Sequence, residues 1–381
     1  MGEAVTSRHE QPPMARSALP AGLASESSAE LSEDDPFTAY LLAAAGPVDI
    51  RRLNLESSAL KTLKEAGAVL VVPMISAGVP VGMLALGPRK SERDYTTDDR
   101  QLLDALARYA APAIRVGQLV CEQQVEALRR ERIEQQLNVA RLVQRQFLPK
   151  SLPELPGWQM AAFYRPALVV GGDFYDFIPL PGGRVMVVIG DVTDKGVPAA
   201  LVMASAHSLL RAAAPRLVNP GAVLEKVNEL LCQDTPAQMF VTCFALVVDG
   251  ASGRVTFANA GHDVPYVRTA GGVAELHARG MPLGLMPGMT YEEKTFVFQP
   301  GDRALLHSDG LSEAHGTGRE MFGFPRVAAL ASRETSCQGL LALCLRELEV
   351  FTGPGYEQED DITLLALERI PDAAPGSGDV R

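Results

Sequence analysis

The sequence predicts an α+β chain in which a strand-rich domain follows a long helix and a smaller α/β module. Three observations carry this prediction. Beyond Pro149, strand-like runs recur at Phe240 to Val248, Val255 to Ala258, Val264 to Arg268, Thr295 to Phe298, Arg303 to His307 and Ile362 to Glu368, while helical stretches come in pairs and do not alternate with them. That pattern favours packed layers over a βαβ sheet. Gln118 to Gln146 contains neither Gly nor Pro and mixes charges of both signs, as a continuous helix does. Ala66 to Gly87 holds two apolar runs split by Ser76-Ala77-Gly78, which reads as a hairpin.

Taken in order, residues 1–35 are rich in Ser, Ala, Pro and Glu, too polar to bury a core, and read as a disordered tail. Order is expected from Pro36. After the hairpin, Leu102, Leu103, Leu106, Ala110 and Ile114 mark a helix with Thr97 or Asp98 as its N-cap, and Pro112 with Gly117 is expected to kink it or separate it from the next. The stretch VPVGMLALGPRKSERDYTTDDRQLLDALARYAAPAI resembles the closing strands and last helix of a GAF domain, covering about the second half of such a domain within residues 36–117. The resemblance implies either a small-molecule sensor or a dimerising remnant.

The following helix, 118–149 with its exit at Pro149, carries Cys121, Val125 and Leu128 at coiled-coil spacing, then Ile133, Leu137, Ala140 and Phe147 after a shift of register. Polar Gln144 interrupts that seam. The narrow stripe suits a dimeric coiled coil, or one face laid on its own domain. Residues 150–370 form the strand-rich domain and 371–381 a flexible tail. Within the domain, Val197 to Ala214 and Val223 to Cys232 read as helices, the first with Leu201, Ala204, Ser205, Ser208 and Leu209 on one face, and a third lies near Cys337 to Phe351.

The chemistry concentrates on acids at strand ends. Phe174 to Leu180 and Arg184 to Gly190 flank the turn Pro181-Gly182-Gly183, so Asp173 and Asp191 stand equidistant from it. In an antiparallel hairpin such residues face each other, with Cβ atoms about 5 Å apart. Paired anions repel unless one is protonated or a cation lies between them. Asp309 follows the strand RALLH and Asp360-Asp361 precedes ITLLALE. Acids beside Gly at strand edges are often solvated turn residues. Four at strand ends instead suit hard cations such as Mg²⁺ or Mn²⁺, which take oxygen ligands.

Composition removes other classes. A net charge of −11 without a basic stripe excludes nucleic acid as the main partner. No signal peptide is evident, and Pro73, Pro80 and several glycines break the long uncharged stretch at 66–87, so no membrane span and a cytoplasmic location are expected. Five cysteines without CxxC spacing fit neither a disulfide framework nor a zinc site, and none is followed six positions later by arginine, as a cysteine-nucleophile phosphatase requires.

The motifs VGGDFYDFIPL, VIGDVTDKGVPAALVMA, MFVTCFALVVD, ANAGHDVPYV, PLGL, LLHSDGLSEA and DDITLLALE occur in the order found in bacterial serine phosphatases of the stage II sporulation protein E type, which this region resembles from about residue 125 to 370. These belong to the metal-dependent protein phosphatase 2C superfamily. The resemblance implies an α-β-β-α sandwich, two antiparallel sheets between helices, and a binuclear centre of two Mn²⁺ or Mg²⁺ ions on Asp173, Asp191 with the carbonyl of Val192, Asp309 and Asp360, with Asp361 outside the ligand set. It further implies hydrolysis of phosphoserine or phosphothreonine by an activated water, with no covalent enzyme intermediate. The implied partner is a phosphorylated bacterial regulatory protein, often an anti-sigma-factor antagonist in partner switching; the helix upstream implies a homodimer.

Other polar residues have plainer expected roles. Asp176 alternates to the face opposite Asp173 and suits a surface or supporting position. Lys195, before a helix, either meets substrate phosphate or is solvated, and His262 satisfies a turn. His207 and His307 read as packed core residues. Gly171-Gly172-Asp173 superficially resembles a diguanylate cyclase turn, but Phe174 stands where that motif needs an acid. A catalytically silent docking module on the same fold is the alternative, and loss of a ligand carboxylate would signal it.

Overall fold

A computed structural model describes residues 35–44, 46–236 and 238–370. The tail expectations for 1–35 and 371–381 therefore lie outside the described residues, Asp35 apart. The chain divides into two compact units, residues 1–130 and 131–381.

In the first unit, α1 (Pro36–Ala43) and α2 (Ser58–Glu65) accompany a three-stranded antiparallel sheet ordered β1 (Val48–Asp49), β2 (Leu70–Ser76), β3 (Val79–Leu86). Side chains alternate along β2, and the burial follows. Val71 joins Phe37, Leu41, Ile50, Leu60 and Leu63 in one cluster. Val72 and Met74 join Val81, Ala107 and Ala111 in the other, on which the start of α3 (Thr97–Gln144) packs. The α3 cap lies one residue before the expected one. Thr96 Oγ1 accepts from Asp99 N at 3.2 Å and Asp99 Oδ2 accepts from Thr96 N at 2.8 Å, a reciprocal box that satisfies two orphan donors. Pro112 and Gly117 do not separate two helices, and α3 runs through both. One missing hydrogen bond at a proline does not end a helix whose adjacent turns, at Ala107 and Ala111, are pinned to a sheet.

The second unit is a four-layer α-β-β-α sandwich, as expected. Beyond α3 it contains β4 (Trp158–Arg165), β5 (Phe174–Leu180), β6 (Arg184–Val192), α4 (Val197–Leu217), α5 (Pro220–Asp234), β7 (Val241–Asp249), β8 (Arg254–Ala260), β9 (Tyr266–Thr269) and β10 (Gly272–Glu275). It ends with β11 (Lys294–Val297), β12 (Arg303–His307), α6 (Asp309–Ser312), α7 (Phe324–Ala331), α8 (Cys337–Thr352) and β13 (Ile362–Arg369). One sheet is ordered β10-β9-β12-β13-β4 and the other β11-β8-β7-β6-β5, all pairs antiparallel. Strand alternation sorts each strand between two layers. Val187 and Ile189 of β6 enter the cluster between the sheets with Phe244, Leu306 and Leu365. Met186 and Val188 face outward onto Met203, Leu210 and Val227 of α4 and α5. On the other sheet, Leu364 and Ala366 pack on Leu340, Cys344 and Leu348 of α8.

Two sequence expectations are corrected here. The α4 face holding Leu201, Ala204, Ser205 and Ser208 is the outer one, with Leu201 66% exposed, while Ala199, Met203, Ala206, His207, Leu210 and Ala214 are buried. Alanine-rich helices offer little contrast between faces, so periodicity misplaced the stripe. Asp176 is not at the surface: it is fully buried, 3.0 Å from His207 Nε2 and 2.7 Å from Arg211 Nε. Both faces of β5 are covered, one by the facing sheet and one by α4. The stretch at 66–87 is the β2–β3 hairpin. Among the described residues, α4 alone is long and apolar enough to cross a membrane, and its inner face belongs to the sandwich core.

Candidate metal centre

The β5–β6 hairpin pairs Phe174 with Gly190 through to Leu180 with Arg184, closing over Pro181, Gly182 and Gly183. Mirror symmetry about that turn sets Asp173 and Asp191 opposite each other at the open end. Asp309 begins α6 directly after β12, and Asp360 lies just before β13. Antiparallel pairing sets the start of β5 beside the end of β6 and the end of β12 beside the start of β13, and hydrogen bonds from Thr363 to Asp173 and from Gly172 N to Asp361 bring these two pairs of ends together. The four acids therefore come from both sheets to one place.

Each acid is held differently. Asp173 is 1% exposed, and its Oδ2 accepts from Thr363 Oγ1 at 2.6 Å. Its Oδ1 is buried with no hydrogen-bond partner, as is Asp309 Oδ1. Asp360 Oδ1 accepts from Asp361 N at 2.9 Å and its Oδ2 lies 3.0 Å from Lys195 Nζ. Asp361 points the other way. It accepts from Ala167 N at 2.7 Å, Gly172 N at 2.6 Å and Asp173 N at 3.2 Å, so its carboxylate is spent on fixing the loop that delivers Asp173. Gly171 and Gly172 are required by these approaches: a Cβ at Gly171 would overlap the Asp361 carboxylate, and one at Gly172 would lie 2.9 Å from the Val192 carbonyl oxygen.

Electrostatics agree with crowding of like charges. Burial, then the neighbouring Asp191 and Asp361, raises the Asp173 carboxyl well above the usual range. Asp191 is pushed up to about 8 by burial and by Asp309, and Asp309 to about 7 by burial and by Asp360. Added positive charge beside these carboxyls would favour their ionised form. The donor set is all oxygen, which fits Mg²⁺ or Mn²⁺, and the two orphaned buried oxygens fit ligands that await an ion. Among the described residues no three His, Cys, Asp or Glu side chains are already drawn together around one point that could hold a metal ion.

The histidines stay outside this set. His262 Nδ1 is 2.9 Å from Thr242 Oγ1, and its backbone exchanges hydrogen bonds with Asn259. Burial and the nearby His307 depress its pKa to about 3, so it is neutral. His307 stacks on Tyr266, and His207 packs edge-on to Phe147 and Phe174. Lys195 is about half exposed and also ion-paired with Asp360.

Two supporting residues escaped the sequence reading. Thr363 left no signal, being one of several Thr in strands. Gln144, at the last turn of α3, donates Nε2 to Gly171 O at 2.5 Å and accepts from Gly171 N at 3.1 Å. Its signal was present, as the polar residue interrupting an apolar seam.

Comparison with known proteins bears on this geometry. Residues 181–370 match the family described as Stage II sporulation protein E, a span that includes Asp191, Asp309 and Asp360. This region belongs to the stage II sporulation protein E family. Residues 14–116 match a GAF domain, a stretch that begins inside the segment read as a tail. Protein IcfG of Synechocystis sp. is 30% identical over 262 residues, 61% of this chain and 41% of that protein. Phosphoserine phosphatase RsbU of Bacillus subtilis is 28% identical over 262 residues, 67% of this chain and 77% of that protein. Thus the chain spans less than half of IcfG. Among solved structures, the SiaA-PP2C domain of Pseudomonas aeruginosa matches with TM-score 0.56 and 25% identity, covering 64% of this chain and 99% of that one. The RsbU and RsbW domains of Rv1364c from Mycobacterium tuberculosis match with TM-score 0.52 and 30% identity, covering 60% of this chain and 64% of that one. The α-β-β-α sandwich is thus the fold of this family's phosphatase domains.

Proposed function

We propose that the chain is a metal-dependent protein serine/threonine phosphatase acting on a phosphorylated regulatory protein in partner-switching signalling. One observation carries the reading: four acids from two sheets meet at one end of the sandwich, and three of them, Asp173, Asp191 and Asp309, have carboxyls raised by burial and by the charge of neighbouring acids. Asp173, Asp191, Asp309, Asp360 and the Val192 carbonyl would hold two Mn²⁺ or Mg²⁺ ions. When bound, such ions supply an acidified water as nucleophile and neutralise phosphoryl charge.

The chain's own part is positioning. Thr363 orients Asp173 through a 2.6 Å hydrogen bond, and Asp361 fixes the backbone from Ala167 to Asp173. His262 is neutral and hydrogen-bonded to Thr242, so it brings no proton to the leaving serine oxygen. All four carboxylates are present, which favours turnover over a silent docking role. The test is hydrolysis of p-nitrophenyl phosphate with Mn²⁺, with and without EDTA, in wild type, Asp173→Asn and Asp309→Asn. Activity is expected to require metal and to fall at least about a hundredfold in both variants, the scale of losing one electrostatic contact to the reacting group. Metal-independent activity, or variants as fast as wild type, sinks the centre.

The same reading includes a homodimer through α3, supported by exposure of Val125, Leu128 and Ile133 at 55%, 65% and 48% along one helix. Sedimentation of Ile133→Ala should show weakened self-association; an unchanged oligomeric state rejects that seam.

A further inference from the structure

Lys195 enters the acidic cluster from the β6–α4 turn. Its Nζ lies 3.0 Å from Asp360 Oδ2 and donates to the carbonyl oxygen of Glu359. The turn is shaped for this. Asp194 and Gly196, on either side, have φ of 70° and 75°, and the left-handed conformation is one a non-glycine residue such as Asp194 adopts only at a cost. Because β6 and β13 belong to different sheets, the ammonium ties the turn after β6 of one sheet to the segment before β13 of the other.

Asp360 is then committed at both oxygens, one to the Asp361 amide and one to Lys195. An ammonium in that place supplies one positive charge where a divalent ion would supply two, and it repels an ion approaching the same carboxylate. We propose that Lys195 is a tethered counter-cation for Asp360, so that a divalent ion reaching Asp360 must displace it. This rests on the metal-centre reading above. Lys195 thereby sets how much metal the weaker position needs, while Asp173 is hydrogen-bonded to Thr363 and does not pair with Lys195. The ammonium is about half exposed, so its grip is modest and the displacement reversible.

The test is Mn²⁺ binding to the full chain, read from the electron paramagnetic resonance signal of free Mn²⁺, in wild type, Lys195→Gln and Lys195→Arg. Wild type is expected to bind two ions, and Lys195→Gln to tighten the weaker class about two- to fivefold, the range for a partly exposed ion pair. Lys195→Arg keeps the charge and should stay near wild type. The gain from Lys195→Gln should shrink at high salt and vanish on an Asp360→Asn background. If wild type binds two ions and Lys195→Gln leaves the weaker class unchanged or looser, the counter-cation role is overturned while the metal centre stands. If wild type binds no Mn²⁺, the metal centre itself fails and this role with it.

Discussion

Adjacent acids at the start of β13 should separate stability from metal binding. Replacing Asp361 by Ala leaves the N–H groups of Ala167, Gly172 and Asp173 without their acceptor. A buried donor left unsatisfied costs about 1–3 kcal/mol. Relief of repulsion from neighbouring acids and entry of water argue for the lower bound, giving about 3 kcal/mol for the three. Asp360→Ala loses a half-exposed pair with Lys195, about 0.2–1 kcal/mol, and a part-buried hydrogen bond from Asp361 N that water can replace. The chain's single tryptophan, Trp158, lies in β4, buried and 5.3 Å between ring centroids from Phe298, so its fluorescence reports the phosphatase-fold unit alone. With a urea slope of about 2.5 kcal/mol/M, Asp361→Ala should lower the unfolding midpoint by about 1 M and Asp360→Ala by less than about 0.4 M. Below the midpoint, Asp361→Ala should keep both classes of Mn²⁺ site, with weaker binding through the loosened loop, and Asp360→Ala should lose the weaker class. The reverse ranking in either measurement would refute the division of labour between the two acids.

Two further outcomes follow from the same geometry. The raised carboxyls Asp191, at about 8, and Asp309, at about 7, contribute stability that is fully present only below the unfolded carboxyl value of about 4 and is lost as pH rises from there through those values. In metal-free protein the Trp158-monitored midpoint should therefore fall between pH 6.5 and 8.5, above the range where the depressed His262 acts, and saturating Mn²⁺ should remove the decline; a flat or rising metal-free profile contradicts the crowding of acids. Gln144→Ala frees both buried polar groups of Gly171, two residues before Asp173, and should cost about 2 kcal/mol while weakening Mn²⁺ binding; unchanged values in both measurements would show that the end of α3 does not support the loop.

Much was legible in the residues because it depends on local spacing. The β5–β6 turn carries its own symmetry axis, so the facing of Asp173 and Asp191 required only counting outward from Pro181-Gly182-Gly183. Apolar runs marked β7, β12 and β13 almost to the residue, whereas β4, with Gln159 and Arg165 at its ends and small alanines within, lacked contrast and was not anticipated. Asp176 was assigned its strand face correctly, yet that face meets α4 and not water.

What the sequence determined by itself was which acids end strands, where the hairpin turns and which family the motifs match. Only the tertiary structure decided what each carboxylate faces. Asp360 and Asp361 are neighbours with equal chemistry, and one pairs with Lys195 while the other binds amides from Ala167 to Asp173. Those partners are distant along the chain and come together only because two sheets close against each other. A side chain's charge is written in its residue type, but its partner is fixed by the packing of strands far apart in sequence, and it is the partner that separates ligand from scaffold.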